Sequence, residues 1–242
     1  MKLKYTYSVL ALFLVLSLLF CACGDRATGP SESDLQRAYC NAVQDAETAE
    51  PDEISRDLVA IVYYNNNLIW EDQPGNSRVL AVTWTSWDGY NNQVGQSITT
   101  TRDIWVTVVP EVKNFARGKH LAEDRLTLRL EQLVGVPPKS GKKWFVEIWA
   151  NPEDIFRPSP DPDITDHEAE LDFPKYVPTE YIKWFNDLRI QSYGENGYPW
   201  TRLGYTYDWG NPKSEIGLSE FVIKAGSEVT IHSVSTTSDY CK

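Results

Sequence analysis

The residues best suited to chemistry lie in an acidic segment from Pro160 to Asp172. This segment holds six carboxylates and one of the chain's three histidines, His167. On a helix, Asp163, His167 and Glu170 would share one face, because residues three and four apart are neighbours there. Carboxylates beside an imidazole can hold a metal ion or act as an acid and a base. One interpretation is therefore a hydrolase, with these candidate catalytic residues: Asp166, His167 and Glu168, joined by Asp208 or Glu220.

The same segment also fits an ordinary helix start or a solvated loop. Asp161 would be the N-cap and Pro162 the first helical residue, and acidic groups in a first turn are stabilised by the helix dipole. A calcium loop fits badly, because Asp166 stands where the turn of an EF-hand needs glycine. We therefore predict no bound metal and no cofactor.

A second candidate region, residues 193–211, is rich in glycine and aromatic residues. Six aromatic residues fall within 17 positions, about three times the chain average of 12%. Exposed tyrosine, tryptophan and arginine side chains are common at the centres of binding surfaces. The predicted contact residues, for a protein or carbohydrate ligand, are Trp200, Arg202, Tyr205, Tyr207 and Trp209. The alternative is that these rings form the core of an antiparallel sheet, where aromatic residues are favoured.

The hydrophobic pattern along the chain predicts the elements that must position these residues. Apolar residues at helical spacing predict three helices, at about 34–45, 122–134 and 179–191. Alternating apolar residues predict strands at about 79–84, 104–109 and 144–149, and two hairpins, at 58–70 and 219–234. Helices and strands are interspersed without a regular βαβ rhythm. The predicted fold is therefore α+β, with a mainly antiparallel sheet and about three helices.

The chain lacks the short sequence signatures of common catalytic sites. It contains no Gly-x-Ser-x-Gly, no Ser-x-x-Lys, no His-Glu-x-x-His and no phosphate-binding glycine loop. We therefore expect a non-enzymatic binding or interaction module, and the hydrolase at 161–172 is the alternative.

The last predicted hairpin offers a more distant alternative. It begins with Ser219-Glu220-Phe221, which resembles the final strands of ADP-ribosyltransferase-like folds. Those folds usually carry Glu or Gln two residues before the catalytic Glu, and Leu218 occupies that position here. The resemblance therefore implies no role for any residue of this chain.

The N-terminus has the layout of a secretory signal. Lys2 and Lys4 precede an apolar run at residues 9–20, and Ala22 precedes Cys23. A small residue before a cysteine at the cleavage point resembles the lipobox of bacterial lipoproteins. The resemblance implies that Cys23 carries a lipid and becomes the new N-terminus. Cys21 is a poorer candidate, because bulky Phe20 would precede the cut.

The lipoprotein resemblance divides the chain into three parts. Residues 1–22 are the signal, 23–33 a lipidated cysteine with a polar tether, and 34–242 one globular domain. The apolar run is shorter than the roughly 18 residues that a membrane span needs. We expect a protein of the bacterial cell envelope, anchored in a membrane through its lipid and facing the periplasm or the cell exterior.

The acidic composition limits the choice of partners. The whole chain has 23 basic and 34 acidic residues, and the signal removes only Lys2 and Lys4 from the basic ones, leaving a net charge of −13. Nucleic acids are bound through clusters of lysine and arginine. We therefore expect no nucleic acid partner.

Two of the four cysteines remain after processing and lipidation, Cys40 and Cys241. An even pair in an oxidising compartment predicts a disulfide, which would close nearly the whole mature chain and stabilise it by about 5 kcal/mol. Two free thiols are the alternative, since sequence alone does not establish the geometry that a disulfide requires.

Overall fold

The centre of the fold is a seven-stranded sheet in which every pair of neighbouring strands is antiparallel. The computed structural model describes residues 29–72, 77–119 and 121–242, and residues 32–242 form one compact unit. The strands of the described residues are β1 Val79–Thr85, β2 Ser97–Thr99, β3 Ile104–Val108, β4 Trp144–Ala150, β5 Ile155–Phe156, β6 Tyr205–Tyr207, β7 Ile216–Ser219, β8 Phe221–Ile223 and β9 Glu228–Thr236. The order in the large sheet is β2-β9-β4-β1-β3-β8-β5, and β6 and β7 form a separate pair.

Five α-helices of the described residues accompany the sheet. They are α1 Glu32–Asp45, α2 Glu111–Ala116, α3 Glu123–Leu133, α4 Thr179–Ser192 and α5 Thr237–Tyr240. The predicted α+β class with a mainly antiparallel sheet is confirmed, and the number of helices is slightly higher than the three or so predicted, because the short helices α2 and α5 were not predicted. None of the helices in the part of the chain that the structure describes is long and apolar enough to cross a bilayer.

The sheet is covered on both faces, which explains why most residues of its central strands β1 and β4 are buried. Successive side chains of a strand point to opposite faces. Val79 and Ala81 belong to one apolar cluster and Leu80 and Val82 to the other. Helices α2, α3 and α5 contribute to the second cluster, through residues such as Leu130. On the first face, non-helical segments supply the covering residues Ile61, Leu68 and Ile164.

The predicted hairpin at residues 58–70 does not form. Only Trp70 makes a bridge to the sheet, opposite Val79. The backbone of Leu58 and Ile61 instead bonds to the carbonyls of His167 and Ile164. The apolar residues of this segment pack on the sheet, so their spacing reflects packing on the sheet and not pairing with each other.

The predicted hairpin at residues 219–234 is also wrong, although both of its strands exist. Strand β8 pairs with β3 and β5, whereas β9 pairs with β2 and β4. The turn between them is held by Thr100, whose carbonyl accepts the N–H of Gly226 at 2.8 Å. Because only four residues link strands that lie four places apart in the order, the sheet must curl.

The two cysteines that we expected to form a disulfide are free thiols in the structure. Cys40 is exposed, because α1 buries its Tyr39 and Ala42 side instead. Cys241 packs at the edge of the cluster that contains α3, and burial raises the pKa of its thiol to about 11. The predicted lipidation site, Cys23, lies outside the described residues.

Candidate ligand-binding site

The acidic segment is an irregular loop, so the helical face predicted for Asp163, His167 and Glu170 does not exist. Local turns replace the helix: Asp161 Oδ1 accepts the N–H of Asp163 at 3.1 Å, and Asp163 Oδ1 accepts the N–H of Thr165 at 2.8 Å. Aspartate side chains favour such turns because they bond to backbone groups two residues further on.

The three candidate catalytic residues of this loop have structural partners. Asp166 Oδ1 accepts a hydrogen bond at 2.6 Å from Arg157, a completely buried arginine. His167 Nδ1 lies 2.7 Å from the carbonyl of Leu58, and Glu168 pairs with Arg56 at 2.8 Å. No group of three or more metal-binding side chains occurs among the described residues. These contacts favour the loop interpretation over the hydrolase.

Most of the aromatic segment forms packing contacts. Trp200 is 5% exposed; its ring lies 4.9 Å from that of Phe185, and its Nε1 donates to the Pro158 carbonyl at 3.0 Å. Tyr205 is fully buried, and its hydroxyl donates to the Glu53 carbonyl at 2.9 Å. Trp200 and Tyr205 are therefore packed in the interior, which agrees with the alternative that the aromatic rings of this segment form a core.

The other three predicted contact residues hold neighbouring segments in place. Arg202 donates to the Glu47 carbonyl at 2.8 Å, and the Tyr207 hydroxyl donates to Asp45 Oδ2 at 2.7 Å. Trp209 Nε1 donates to the Val136 carbonyl at 3.0 Å. The five residues do not form one exposed patch, but two of them, Trp200 and Tyr207, line a cavity.

Two adjacent cavities, which we call together the central cleft, share six lining residues. The small cavity has a volume of about 380 Å³ and the large cavity about 690 Å³. The shared residues are Arg102, Trp105, Val134, Val136, Lys142 and Glu220. Pockets of this size accommodate small organic molecules.

Three separate parts of the fold bring these residues together. Arg102 and Trp105 stand at the start of β3, and Lys142 precedes β4. The residues after α3 pass close to β6. A Cβ at Gly135 would lie 3.2 Å from the Tyr207 carbonyl oxygen, and the φ of +64° there favours glycine.

Glu220 lies between β7 and β8, where the chain passes from the small sheet to the large one. Its backbone N–H is held by the Gly204 carbonyl at 2.9 Å. Its carboxyl group forms no hydrogen bond or ion pair with any described residue, and burial raises the pKa of this group to about 8. At pH 7 the carboxyl is therefore mostly neutral and can donate a hydrogen bond as well as accept one.

A second buried carboxyl group supports the strand end beside Glu220. Glu111 accepts hydrogen bonds from the Thr107 hydroxyl at 2.5 Å and from the Ser219 backbone at 3.3 Å. Burial raises the pKa of Glu111 to about 7, although these hydrogen bonds oppose the rise. Glu111 thus fixes the residue immediately before Glu220.

The two cationic side chains of the cleft make few hydrogen bonds with other residues that the structure describes. Lys142 Nζ donates to the Trp84 carbonyl at 2.8 Å, and burial lowers the pKa of this ammonium group. Arg102 is exposed at the rim and makes no hydrogen bond or ion pair with the residues that the structure describes. By contrast, Asp103 beside it is engaged by Trp184 Nε1 at 2.8 Å and by the Ala225 N–H at 2.9 Å.

Comparison with protein-family models, with curated proteins and with solved structures finds no match to the chain. The resemblance of Ser219-Glu220-Phe221 to ADP-ribosyltransferase-like folds gains no support from these comparisons. The central cleft is therefore the feature of the structure that bears on function. The sequence did not single out Arg102, Trp105 or Lys142, which occur in no recognisable spacing.

Proposed function

We propose that the chain is an exported, lipid-anchored binding protein without enzymatic activity, and that its ligand occupies the central cleft. The observation that carries this proposal is Glu220, a carboxyl group without a protein partner in a cavity walled by Trp105 and Trp200. The Glu220 side chain is half-buried and its carboxyl oxygens are not sealed from solvent, so water in the cleft reaches them. A ligand that bonded to Glu220 would replace this water.

A binding role accounts for the cleft better than hydrolysis does. Hydrolysis by side chains needs an acid and a base, or a nucleophile and a base, within reach of one another. Among the described residues that line the two cavities, the carboxyl groups are those of Glu220 and Asp103, and no histidine accompanies them. Asp103 already accepts hydrogen bonds from Trp184 Nε1 and from the Ala225 N–H. The concave shape favours a small molecule, including a sugar ring stacked on the aromatic walls, over a flat protein surface.

Filling the cleft should abolish ligand binding. We expect Val136→Trp to place an indole ring between the two cavities, because Val136 lines both of them. The test is a panel of small ring compounds with acidic, basic and neutral members, monosaccharides included, measured by ligand-observed NMR. Compounds that bind the wild type should lose their binding signal with Val136→Trp.

The matched control is Val94→Trp, which adds the same ring at a surface position that is 48% exposed. This variant should bind the panel as the wild type does, and both variants should unfold cooperatively. A wild type that binds no member of the panel, or a folded Val136→Trp protein that binds as the wild type does, would contradict the proposal.

The proposed anchor is the lipid on Cys23, inferred from the signal-like residues before it. Cys23→Ser should leave an unprocessed precursor or release the protein into the soluble fraction, because the thiol that receives the lipid is absent. Membrane fractionation with immunoblotting of the full chain measures this. If the serine variant remained in the membrane fraction at its mature size, the anchor would not be Cys23.

A further inference from the structure

The large cavity of the central cleft is lined by more cationic groups than carboxyl groups, although the whole chain is acidic. The chain has a net charge of −11 at pH 7. The charged or carboxyl-bearing residues that line the large cavity are Arg102, Lys142 and Glu220. Two cations line this cavity against one carboxyl group, and the raised pKa of that group favours its neutral form.

The large cavity also has more free hydrogen-bond donors than free acceptors. Arg102 presents a guanidinium with five N–H groups and no partner among the described residues, and Lys142 uses one N–H on the Trp84 carbonyl. The side-chain amides of Gln191 and Asn196 line the same cavity without a hydrogen bond to described residues, but each offers an acceptor oxygen as well as two N–H groups, so the excess of donors comes from Arg102 and Lys142. A ligand rich in acceptor oxygens would satisfy these donors.

The walls between these polar groups are aromatic, with Trp105 half-buried and Trp200 5% exposed. Trp105 and Trp200 meet edge to face, with ring centroids 6.2 Å apart and planes at 87°. Tyr198, Pro199 and Tyr207 line the same cavity. Rings of this kind offer stacking surfaces to a ligand ring, and the volume of about 690 Å³ admits one or two such rings.

We infer that the central cleft binds a small organic anion, whose ring lies along Trp105 and Trp200 and whose acidic group pairs with Arg102 and Lys142. This inference rests on the proposed binding function and adds the class of ligand to it. Glu220 donates a hydrogen bond to a second oxygen of the ligand. A cationic amine would meet two like charges, and an extended polyanion would be repelled by the acidic surface.

The test uses three probes with the same naphthalene ring and different charges. They are 1-naphthaleneacetate, 1-naphthaleneacetamide and 1-naphthaleneethylamine, titrated into the protein by calorimetry at pH 7. We expect the acetate to bind at least tenfold more tightly than the amide or the amine, because only the acetate can pair with both cations.

Removing one cation should remove this preference. Arg102→Gln should weaken acetate binding at least tenfold and leave amide binding nearly unchanged. The matched control is Arg117→Gln, which removes the same charge from an exposed arginine outside both cavities and should bind the acetate as the wild type does. Arg102 is exposed, so its replacement should not impair folding.

The outcomes separate the ligand class from the binding function. Equal affinity for the three probes, tighter binding of the amine, or equal weakening by both arginine variants would overturn the anionic class while leaving the binding function intact. Failure of all three probes would overturn the anionic class as well. The binding function itself would fail only if the mixed panel also gave no ligand that Val136→Trp excludes.

Discussion

Replacing Arg157 with methionine should lower the free energy of unfolding by about 3 kcal/mol, since it leaves several carbonyl groups without their donor and each unpaired buried acceptor costs about 1–3 kcal/mol. The guanidinium is completely buried and donates to Asp166 Oδ1, to the Asp166 carbonyl at 2.9 Å and to the Val59 carbonyl at 3.3 Å. It also donates to the Glu168 carbonyl. Without these bonds the acidic loop keeps only the backbone bonds of Leu58 and Ile61, the His167 contact and the exposed Arg56–Glu168 pair to the segment before β1. Urea denaturation followed by tryptophan fluorescence measures the loss.

A nearby exposed pair provides the control for this prediction. Arg56 pairs with Glu168 at 2.8 Å, but its side chain is 78% exposed. Exposed ion pairs contribute about 0–1 kcal/mol, so Arg56→Gln should leave stability nearly unchanged. If Arg157→Met were as stable as Arg56→Gln, the loop would not depend on Arg157, and a catalytic role for Asp166, His167 and Glu168 would need to be considered again.

Trp200→Ala should also destabilise the protein strongly, by about 3–5 kcal/mol, as is usual when a buried tryptophan is truncated. The indole packs against Phe185 at 4.9 Å and against Trp184 and Trp105, both at 6.2 Å. Its removal leaves a void beside the large cavity and an unpaired Pro158 carbonyl. Thermal unfolding by circular dichroism checks this expectation.

Trp87→Ala is the comparison for an exposed indole. Trp87 is 47% exposed and contacts Tyr90 edge to face at 4.6 Å. Aromatic pairs of this kind contribute about 0.5–1.5 kcal/mol beyond burial, so this variant should lose far less stability than Trp200→Ala. Similar losses for the two variants would mean that Trp200 is not a structural wall of the cleft.

The sequence predicted the elements with a clear hydrophobic period. The long helices α1, α3 and α4 and the strands β1, β3 and β4 all occur where their spacing placed them. The strands β2 and β5, of three and two residues, are too short to show a period and were missed, whereas the three-residue β8 was predicted within the last hairpin. Strand pairing could not be predicted from local sequence patterns. Strands β8 and β9 are neighbours in the chain, but in the sheet each pairs with other strands.

The candidate site was predictable only in fragments. Trp200 and Tyr207 were singled out because aromatic residues are dense around them, and Glu220 as a possible catalytic partner in the hydrolase alternative. The surroundings of each residue in the cleft depend on distant parts of the chain. Arg102, Lys142 and Glu220 lie far apart in the sequence and meet only because β3, β4 and β8 belong to one curled sheet. A short sequence motif therefore cannot predict that these three residues line one cleft. The acidic segment was wrongly predicted to form a helical face because its carboxylates are close together in sequence. In the structure these carboxylates bond to local backbone groups and to the buried Arg157.

The location of a bound ligand tests the central claim most directly. Protein-observed NMR of the indole N–H resonances, with the tightest-binding compound of the mixed panel as the titrant, reports each tryptophan separately. We expect the largest shift at Trp105, which lines both cavities, and little change at Trp70 and Trp149, which line neither. If saturating ligand moved Trp70 or Trp149 most and left Trp105 unchanged, the central cleft would not be the binding site.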